Sequence, residues 1–401
     1  MSILLQLQDP AEWEAFFLYK EEKRHLTREE ACDLRAFIDN QEYLPVVSRI
    51  LSGGTFSVPE KKLIRKMDTD KKRAVYVFPR EENYVLKLLT FLLLRKYDGL
   101  FTDDLYSFRV SRGAGKALTR VLHMPGLRSM YVYKVDISNY FNSIDVPEML
   151  VMLTDVFRDD PQLYELFEKL LTDPRVCDQG VVTEEKKGVM AGTPFAVFLA
   201  NLYLLPLDKR MQAEGFLYAR YSDDIILFAP TEAARERGAE IILETLHAHG
   251  LSVNPEKEHR ASSGEPWTFL GVSYDGGTVD ISPVSKEKLK ARIRRKSRAL
   301  RRWQIRKGAT DEQAAKALVR SMNRKYFSAD SSHELTWTRW YFPLITTDRT
   351  LHELDLYLQD WIRYLASGGH HRKQNYAFRY EDLKALGYRS LVHEWYEKDA
   401  P

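Results

Sequence analysis

Short segments of strand-forming residues predict the β-strands of this chain. Apolar residues alternate at residues 71–81 and 132–135, and another strand is predicted over residues 267–274, before a hairpin turn at 275–278. Between residues 216 and 228, strand formers stand on both sides of Ser222-Asp223-Asp224. This arrangement predicts a hairpin that buries its apolar arms and holds two adjacent carboxylates at its turn.

Longer segments carry apolar residues at helical spacing. Residues 1 to about 70 are predicted to be helical, and Thr27 and Glu30 stand at the two positions of an N-terminal capping box. Further helices are predicted at about residues 82–97, 231–249, 286–307, 351–365 and 388–396. The chain therefore mixes helices with strands.

Composition indicates a globular protein with a substantial core. Of the 401 residues, 44% are hydrophobic, and the longest apolar run, 85–94, is interrupted by Lys87 and is too short to span a bilayer. No basic leader precedes Asp9, so neither a signal peptide nor a membrane partner is expected. The only cysteines, Cys32 and Cys177, exclude a disulfide scaffold and favour a cytoplasmic location.

Charge is unevenly distributed, although the net charge is only +3. Residues 286–307 contain twelve Lys or Arg residues and one acid, Glu287, with apolar residues at helical spacing. A solvated surface helix normally mixes charge signs, so this basic amphipathic helix favours nucleic-acid binding. Two further segments are weaker signals: the glycine-containing loop at 106–117 fits either phosphate binding or ordinary solvated charge, and the loop around His370-His371 fits nucleic acid better than metal.

Candidate chemistry begins with Asp223 and Asp224. Alone, an Asp-Asp pair is most often an exposed turn. Asp136 adds a third carboxylate at the end of the strand 132–135, where the alternative is a helix cap, and Phe141 follows five residues later. Carboxylates that repel one another are stabilised by a cation, and their hard oxygens suit Mg²⁺.

A glycine-rich loop with Gly188 and Gly192 leads into an apolar helix that carries Asn201. Glycine at these positions would let the backbone approach a flat partner such as a base pair. An ordinary junction between a loop and a helix is the alternative.

Together these segments resemble the motifs of reverse transcriptases over about residues 70 to 330. In chain order, the resembling segments are Tyr106–Arg109, Val135–Phe141, Gly188–Tyr203, Tyr221–Asp224, Leu251–Lys257 and Phe269–Val272. The resemblance implies an α+β, right-hand polymerase fold with fingers, a palm of antiparallel sheet plus helices, and a helical thumb. The expected divisions are a helical region and fingers at 1–130, palm at 131–280, thumb at 281–345 and a helical extension at 346–401.

The resemblance also implies roles for the acids. Asp136 and Asp223 would bridge two Mg²⁺ ions (Mn²⁺ is an alternative), with Asp224 in support and the main chain of Ile137 binding metal or phosphate. Such a site performs in-line nucleotidyl transfer. The implied partners are dNTPs, an RNA template and an RNA–DNA duplex gripped by the 286–307 helix.

Nucleotide-binding residues follow from the same resemblance. Phe141 would stack under the deoxyribose and exclude a 2′-hydroxyl. Arg73 and Arg80 would clamp the triphosphate, and Lys257 would protonate the departing pyrophosphate.

The second motif departs from the pattern of group II intron enzymes. Ala191, beside Gly192 in the nucleotide-facing loop, stands where those enzymes usually carry Gln, and Ala196-Val197 replaces their Ser-Pro. The substitution at 191 puts the usual contact with nucleotide or template in doubt.

The compact plan, the Gly-Thr-Pro of the second motif at 192–194 and the C-terminal segment 388–396 resemble bacterial defence-associated reverse transcriptases of the unknown-group lineage, type 2 above all. That resemblance implies an antiphage enzyme that copies a partner non-coding RNA into cDNA by repeated passes. The alternatives are a template-independent or protein-primed polymerase of the abortive-infection type, a group II intron-derived reverse transcriptase, and a non-enzymatic RNA-binding module with a degenerate palm.

Overall fold

A computed structural model describes residues 2–22, 26–65, 72–327, 336–367 and 378–397. The loop around His370-His371 lies outside these ranges. The chain divides into two compact units, Met1–Glu265 and Pro266–Pro401, and each contains helices and strands. Among the described helices, none is long and apolar enough to cross a membrane. The division into four regions predicted from the sequence stays a prediction.

The first unit contains twelve described α-helices around one hydrophobic core. They are α1 (Ile3–Gln6), α2 (Pro10–Glu22), α3 (Arg28–Asp39), α4 (Leu44–Leu51), α5 (Arg80–Tyr97), α6 (Ala114–Leu122), α7 (Tyr140–Ser143), α8 (Val146–Val156), α9 (Pro161–Thr172), α10 (Ala196–Tyr203), α11 (Leu205–Ala213) and α12 (Glu232–Ala248). The capping box is confirmed, since Thr27 Oγ1 accepts from Glu30 N and Glu30 accepts from Thr27 N. Helix α5 is apolar on most sides and is accordingly buried in the core.

Two four-stranded sheets lie in this unit. The β1 sheet has the order β2-β1-β4-β5, formed by β1 (Glu60–Arg65), β2 (Lys72–Val77), β4 (Arg175–Asp178) and β5 (Val181–Glu184). The β3 sheet has the order β6-β7-β3-β8, formed by β3 (Tyr131–Asp136), β6 (Leu217–Tyr221), β7 (Asp224–Ala229) and β8 (His259–Ala261). Every residue of β7 after Asp224 is buried, because helix α12 covers this strand and β3 and β6 flank it.

The second unit begins with the three-stranded sheet β11-β10-β9. Its elements are β9 (Trp267–Phe269), β10 (Val272–Asp275), β11 (Thr278–Ile281), α13 (Pro283–Lys307), α14 (Asp311–Phe327), α15 (Trp337–Tyr341), α16 (Arg349–Ser367), α17 (Tyr380–Ala385) and α18 (Leu391–Glu397). Helices α13, α14 and α16 pack on one another. Leu289 and Ile293 of α13 are buried, whereas nine of its basic residues are exposed: Lys288, Arg292, Arg294, Arg295, Lys296, Arg298, Arg302, Arg306 and Lys307.

Two predictions of secondary structure are wrong. The single strand predicted over residues 267–274 is two antiparallel strands, because Leu270 and Gly271 both have positive φ and form a tight turn. The prediction that residues 1 to about 70 are helical is wrong at β1. This segment is a strand that pairs with β2 along its whole length. Pairing with β2 favours strand there, whatever the local preference of the segment.

Candidate active site

The β3 sheet brings the three candidate acids to one edge. Asp136 ends β3, Asp224 begins β7, and the two residues are direct cross-strand partners. Asp223 lies in the turn between β6 and β7, and its carbonyl accepts a 3.1 Å hydrogen bond from Ile137 N. Antiparallel register thus joins acids that are distant in sequence.

The acidic turn, defined here as Ser222-Asp223, is conformationally strained. Ser222 has φ +60, a value that residues other than glycine seldom adopt. Its side chain is buried, and its Oγ has no hydrogen-bond partner. Such strain persists only where the surroundings hold the backbone in place.

Burial and mutual repulsion disfavour the ionised acids. Burial raises the pKa of Asp224 to about 6, with smaller contributions from the charges of Asp136 and Asp223, while Lys134 acts in the opposite direction. Burial and the charge of Asp136 also raise the pKa of Asp223, opposed by Lys257 and Arg73. Asp223 and Asp224 therefore belong, with the neighbouring Asp136, to an acidic cluster that positive charge stabilises.

Two lysines contact these acids. Lys257 Nζ lies 2.8 Å from Asp136 Oδ2, and the ammonium of Lys134 lies 3.2 Å from Asp224 Oδ1. Lys257 was predicted from the sequence, and Asn254 N donates to the Asp136 carbonyl at 2.8 Å to dock its segment beside β3. Lys134 was missed, although its position two residues before Asp136 places both side chains on one face of β3.

The acidic cluster has donor atoms suited to a divalent ion. Asp224 Oδ1 is buried without a hydrogen-bond partner, although Lys134 is near. Carboxylate oxygens are the ligands that Mg²⁺ prefers. Within the described ranges, no three His, Cys, Asp or Glu side chains are yet gathered as a metal site. The oxygens of Asp136, Asp223 and Asp224 fit a metal by their chemistry, not by the present arrangement of the side chains, and Lys257 and Lys134 supply positive charge there.

Phe141 and Arg73 lie together near the acids. The Arg73 guanidinium carbon is 5.9 Å from the centre of the Phe141 ring, and the charge of Arg73 acts on Asp223. Arg80, in contrast, begins α5 and is bound to the carboxylates of Asp33 and Glu42. The guanidinium of Arg80 is therefore already neutralised by two acids, and its proposed contact with triphosphate stays a prediction.

The glycine loop packs against the chain itself. A Cβ on Gly188 would lie 2.5 Å from the Phe141 carbonyl oxygen, and one on Gly192 would lie 2.8 Å from Val75 Cβ in β2. Both glycines have positive φ. In the described structure these glycines approach the Phe141 carbonyl in α7 and strand β2, and their approach to a base pair stays a prediction.

Ala191 is also enclosed, with 1% of its surface exposed. Its N–H donates to Asn142 Oδ1 at 3.0 Å, and its carbonyl accepts from Tyr76 N at 2.8 Å. The residue at this position thus ties the loop to β2 through its main chain.

Basic residues of the 106–117 loop are engaged internally. The Arg109 guanidinium is buried and binds Asp98, Arg112 binds Asp103, and Lys116 donates to the Ser111 carbonyl. This arrangement gives no support to a phosphate-binding loop. The loop instead contributes Ser107, a buried residue that sequence reasoning passed over and that donates to Asn201 Oδ1.

With this geometry in view, the comparison with known families is decisive. Residues 64–274 match the sequence pattern of the family described as "Reverse transcriptase (RNA-dependent DNA polymerase)", which is more than half of the chain. The chain belongs to the reverse transcriptase family. This reverse transcriptase carries Asp136, Asp223 and Asp224 within the matched region, and the right-hand polymerase fold expected from the sequence agrees with its mixture of helices and sheets.

Solved structures of telomerases are similar to this reverse transcriptase at low identity. Apo telomerase from Candida tropicalis matches with a TM-score of 0.48 and 13% identity over 87% of this chain and 68% of that chain. The form of this telomerase truncated from the C-terminal domain matches with a TM-score of 0.46 and 14% identity over 57% of this chain. The match covers only 55% of that telomerase chain. Candida albicans telomerase in complex with a fragment of telomeric RNA matches with a TM-score of 0.45 and 12% identity, over 88% of this chain and 69% of that chain. No protein with a curated description matches the chain.

Proposed function

We propose that this reverse transcriptase copies a partner non-coding RNA into cDNA by two-metal nucleotidyl transfer at Asp136, Asp223 and Asp224. The observation that carries the proposal is the cross-strand pairing of Asp136 with Asp224 beside the turn that holds Asp223. Partly buried carboxylates that repel one another are stabilised by nearby cations, and the ammonium groups of Lys257 and Lys134 compensate them only in part. A bound metal ion would provide the remaining positive charge.

In the proposed reaction, Mg²⁺ held by these acids would supply the positive charge that activates the primer 3′-hydroxyl and neutralises the triphosphate. The 3′-hydroxyl releases its proton to water, and its oxygen forms a bond to the α-phosphorus as the bond to pyrophosphate breaks. Asp136, Asp223 and the Ile137 main chain would hold the ions, with Asp224 in support. Lys257, whose ammonium already reaches Asp136, donates a proton to the departing pyrophosphate.

Nucleotide selection is assigned to Phe141 and Arg73. The ring of Phe141 stacks under the deoxyribose and excludes a 2′-hydroxyl, and the neighbouring Arg73 binds the triphosphate. The exposed basic face of α13 supplies the charge that an RNA–DNA duplex requires. The defence role, the cytoplasmic location and the dedicated non-coding RNA rest on the resemblance of the sequence to defence-associated enzymes.

The test is an extension assay with purified protein, its co-purifying RNA, Mg²⁺ and dNTPs. Wild-type protein should give cDNA complementary to that RNA, and sequencing the co-purified nucleic acid identifies the template. Asp223→Ala should abolish synthesis and leave RNA binding nearly unchanged. Asp275→Ala, at an exposed strand end of the second unit, serves as the control and should retain synthesis.

Two results would contradict the proposal. Synthesis retained by Asp223→Ala would remove these acids from the active site. Product that needs no template, or that contains a single base, would favour the template-independent alternative.

A further inference from the structure

The backbone of Ser222 is held on both sides by buried polar groups. Its N–H donates to Ser107 Oγ at 2.9 Å, and its carbonyl accepts from Arg220 Nη1 at 3.3 Å. Ser107 and Arg220 are completely buried. The strained residue of the acidic turn is therefore fixed by specific hydrogen bonds from inside the protein.

Ser107 is itself oriented by Asn201 of α10. The Ser107 hydroxyl donates to Asn201 Oδ1 at 2.9 Å, and Asn201 Nδ2 donates to the Ser107 carbonyl at 2.9 Å. This pair of bonds closes a ring between two buried residues. Because the hydroxyl proton goes to Asn201, a lone pair of Ser107 Oγ is directed to the Ser222 N–H.

Arg220 completes the network from the other side. Its Nη2 donates to the Asn201 carbonyl at 3.1 Å, and its Nε donates to Asp208 Oδ1 at 2.7 Å. The Arg220–Asp208 ion pair is wholly buried, so removing either partner would leave an uncompensated charge. Ser107, Asn201, Asp208 and Arg220 thus form one connected polar network, called here the turn network.

The backbone also explains why Ser107 meets the turn. Leu105 forms a parallel bridge with Arg220, and Tyr106 N donates to the Arg220 carbonyl at 3.0 Å. The segment before Ser107 therefore runs beside the end of β6. This register delivers the Ser107 hydroxyl to the residue that follows Tyr221 in the chain.

We infer that Ser107 and Asn201 are positioning residues for polymerisation, acting through the Ser222 backbone on Asp223 and Asp224. Without the Ser107 hydroxyl, the Ser222 N–H would be buried and unpaired, and the positive φ of Ser222 would lose a restraint. The following two residues carry the carboxylates, so a relaxed turn displaces them. Small displacements of reacting groups lower catalytic rates strongly.

The decisive variant is Ser107→Ala, compared with Thr90→Val. Both changes remove one buried hydroxyl; that of Thr90 donates to the Leu86 carbonyl within α5. Ser107→Ala should lower the maximal rate of nucleotide incorporation by about 10- to 100-fold, with the KM for dNTP and the Kd for RNA within about threefold of wild type. Thr90→Val should leave the maximal rate within about threefold of wild type.

Rescue and coupling distinguish positioning from general stability. Ser107→Thr retains the hydroxyl and should recover most of the rate, whereas Ser107→Cys, of similar size but with a weak donor and acceptor, should not. The double variant Ser107→Ala/Asn201→Ala should be no slower than the slower single variant, because the two residues act as a unit. Melting temperatures of the variants monitor folding.

The inference rests on the proposed active site, and the experiment separates their failures. If Asp223→Ala still synthesises cDNA, the proposed active site fails. If Asp223→Ala is inactive while Ser107→Ala and Ser107→Cys keep the wild-type rate, only the positioning role is overturned. Rate losses that match those of Thr90→Val, or that follow the melting temperature alone, also overturn it.

Discussion

Lys134 Nζ lies 3.2 Å from Asp224 Oδ1, diagonally across strands β3 and β7. In the register of the sheet, Asp224 is paired with Asp136 and Lys134 with Ile226. A diagonal neighbour at this spacing is within reach of a lysine side chain. Burial disfavours the ionised form of Asp224. The neighbouring ammonium of Lys134 favours that form and so opposes the effect of burial.

Replacing Asp224 by Asn should stabilise the metal-free protein at neutral pH. The folded state raises the pKa of Asp224 from 3.8 to about 6, so this group stabilises the fold below the unfolded pKa and loses that contribution as pH rises through 6. At pH 7.5 Asp224→Asn should therefore exceed wild type by about 1–3 kcal/mol in the free energy of unfolding.

Denaturant titrations in the presence of a chelator measure this difference. The advantage of Asp224→Asn should shrink by about half at pH 5, because wild-type Asp224 then binds its proton. Asp275→Asn, at an exposed position, should change stability little at either pH. A destabilised Asp224→Asn protein at pH 7.5 would contradict the direction of the pKa shift.

Phe141→Ala should admit ribonucleotides. Phe141 is half-buried beside Arg73, and truncating its ring removes the surface that is proposed to exclude a 2′-hydroxyl. The ratio of kcat/KM for dNTP over rNTP should fall by about 10-fold or more. Tyr164→Ala, which truncates another half-buried aromatic residue, is the control. An unchanged ratio in Phe141→Ala would remove the steric role.

Two variants separate the positive charge of Lys257 from its proposed role as a proton donor. Lys257→Arg keeps a cation near Asp136 but cannot release a proton at neutral pH, whereas Lys257→Met removes both. If Lys257 protonates pyrophosphate, both variants should lower the rate of single-nucleotide incorporation by about 100-fold or more. A wild-type rate in Lys257→Arg would reduce the role of this residue to charge compensation.

The acids were predictable from the sequence because their signals are local. Each lies at the end of an apolar strand or in the turn beside it, and burial of the strands leaves little freedom in register. The sequence also predicted the hairpin and the helices α5, α12 and α13, because their hydrophobic patterns are long or strongly periodic.

Contacts set by register and tertiary packing were not predictable. Lys134 becomes a neighbour of Asp224 only once β3 and β7 are paired, and Ser107 meets Asn201 through a bond between residues 94 positions apart. The strand β1 exists because β2 lies beside it. In each case the missing information is a partner that no local pattern identifies.

Gly192 packs closely against β2, and this contact can be tested with a matched pair of variants. Gly192 has φ +96, and an added Cβ would lie 2.8 Å from Val75 Cβ and 3.4 Å from Tyr76 N. Gly180 has a similar φ of +87, but nothing lies within 4 Å of its added Cβ. Both Gly→Ala changes incur the strain of a positive φ, and only the change at Gly192 must also displace β2.

Gly192→Ala should therefore lose more stability than Gly180→Ala, by about 1–3 kcal/mol in denaturant titrations. It should also raise the KM for dNTP, because β2 carries Arg73. The KM of Gly180→Ala should stay at the wild-type value. Equal stability and equal KM in the two variants would show that the contact between the glycine loop and β2 has no part in positioning Arg73, the residue proposed to bind the triphosphate.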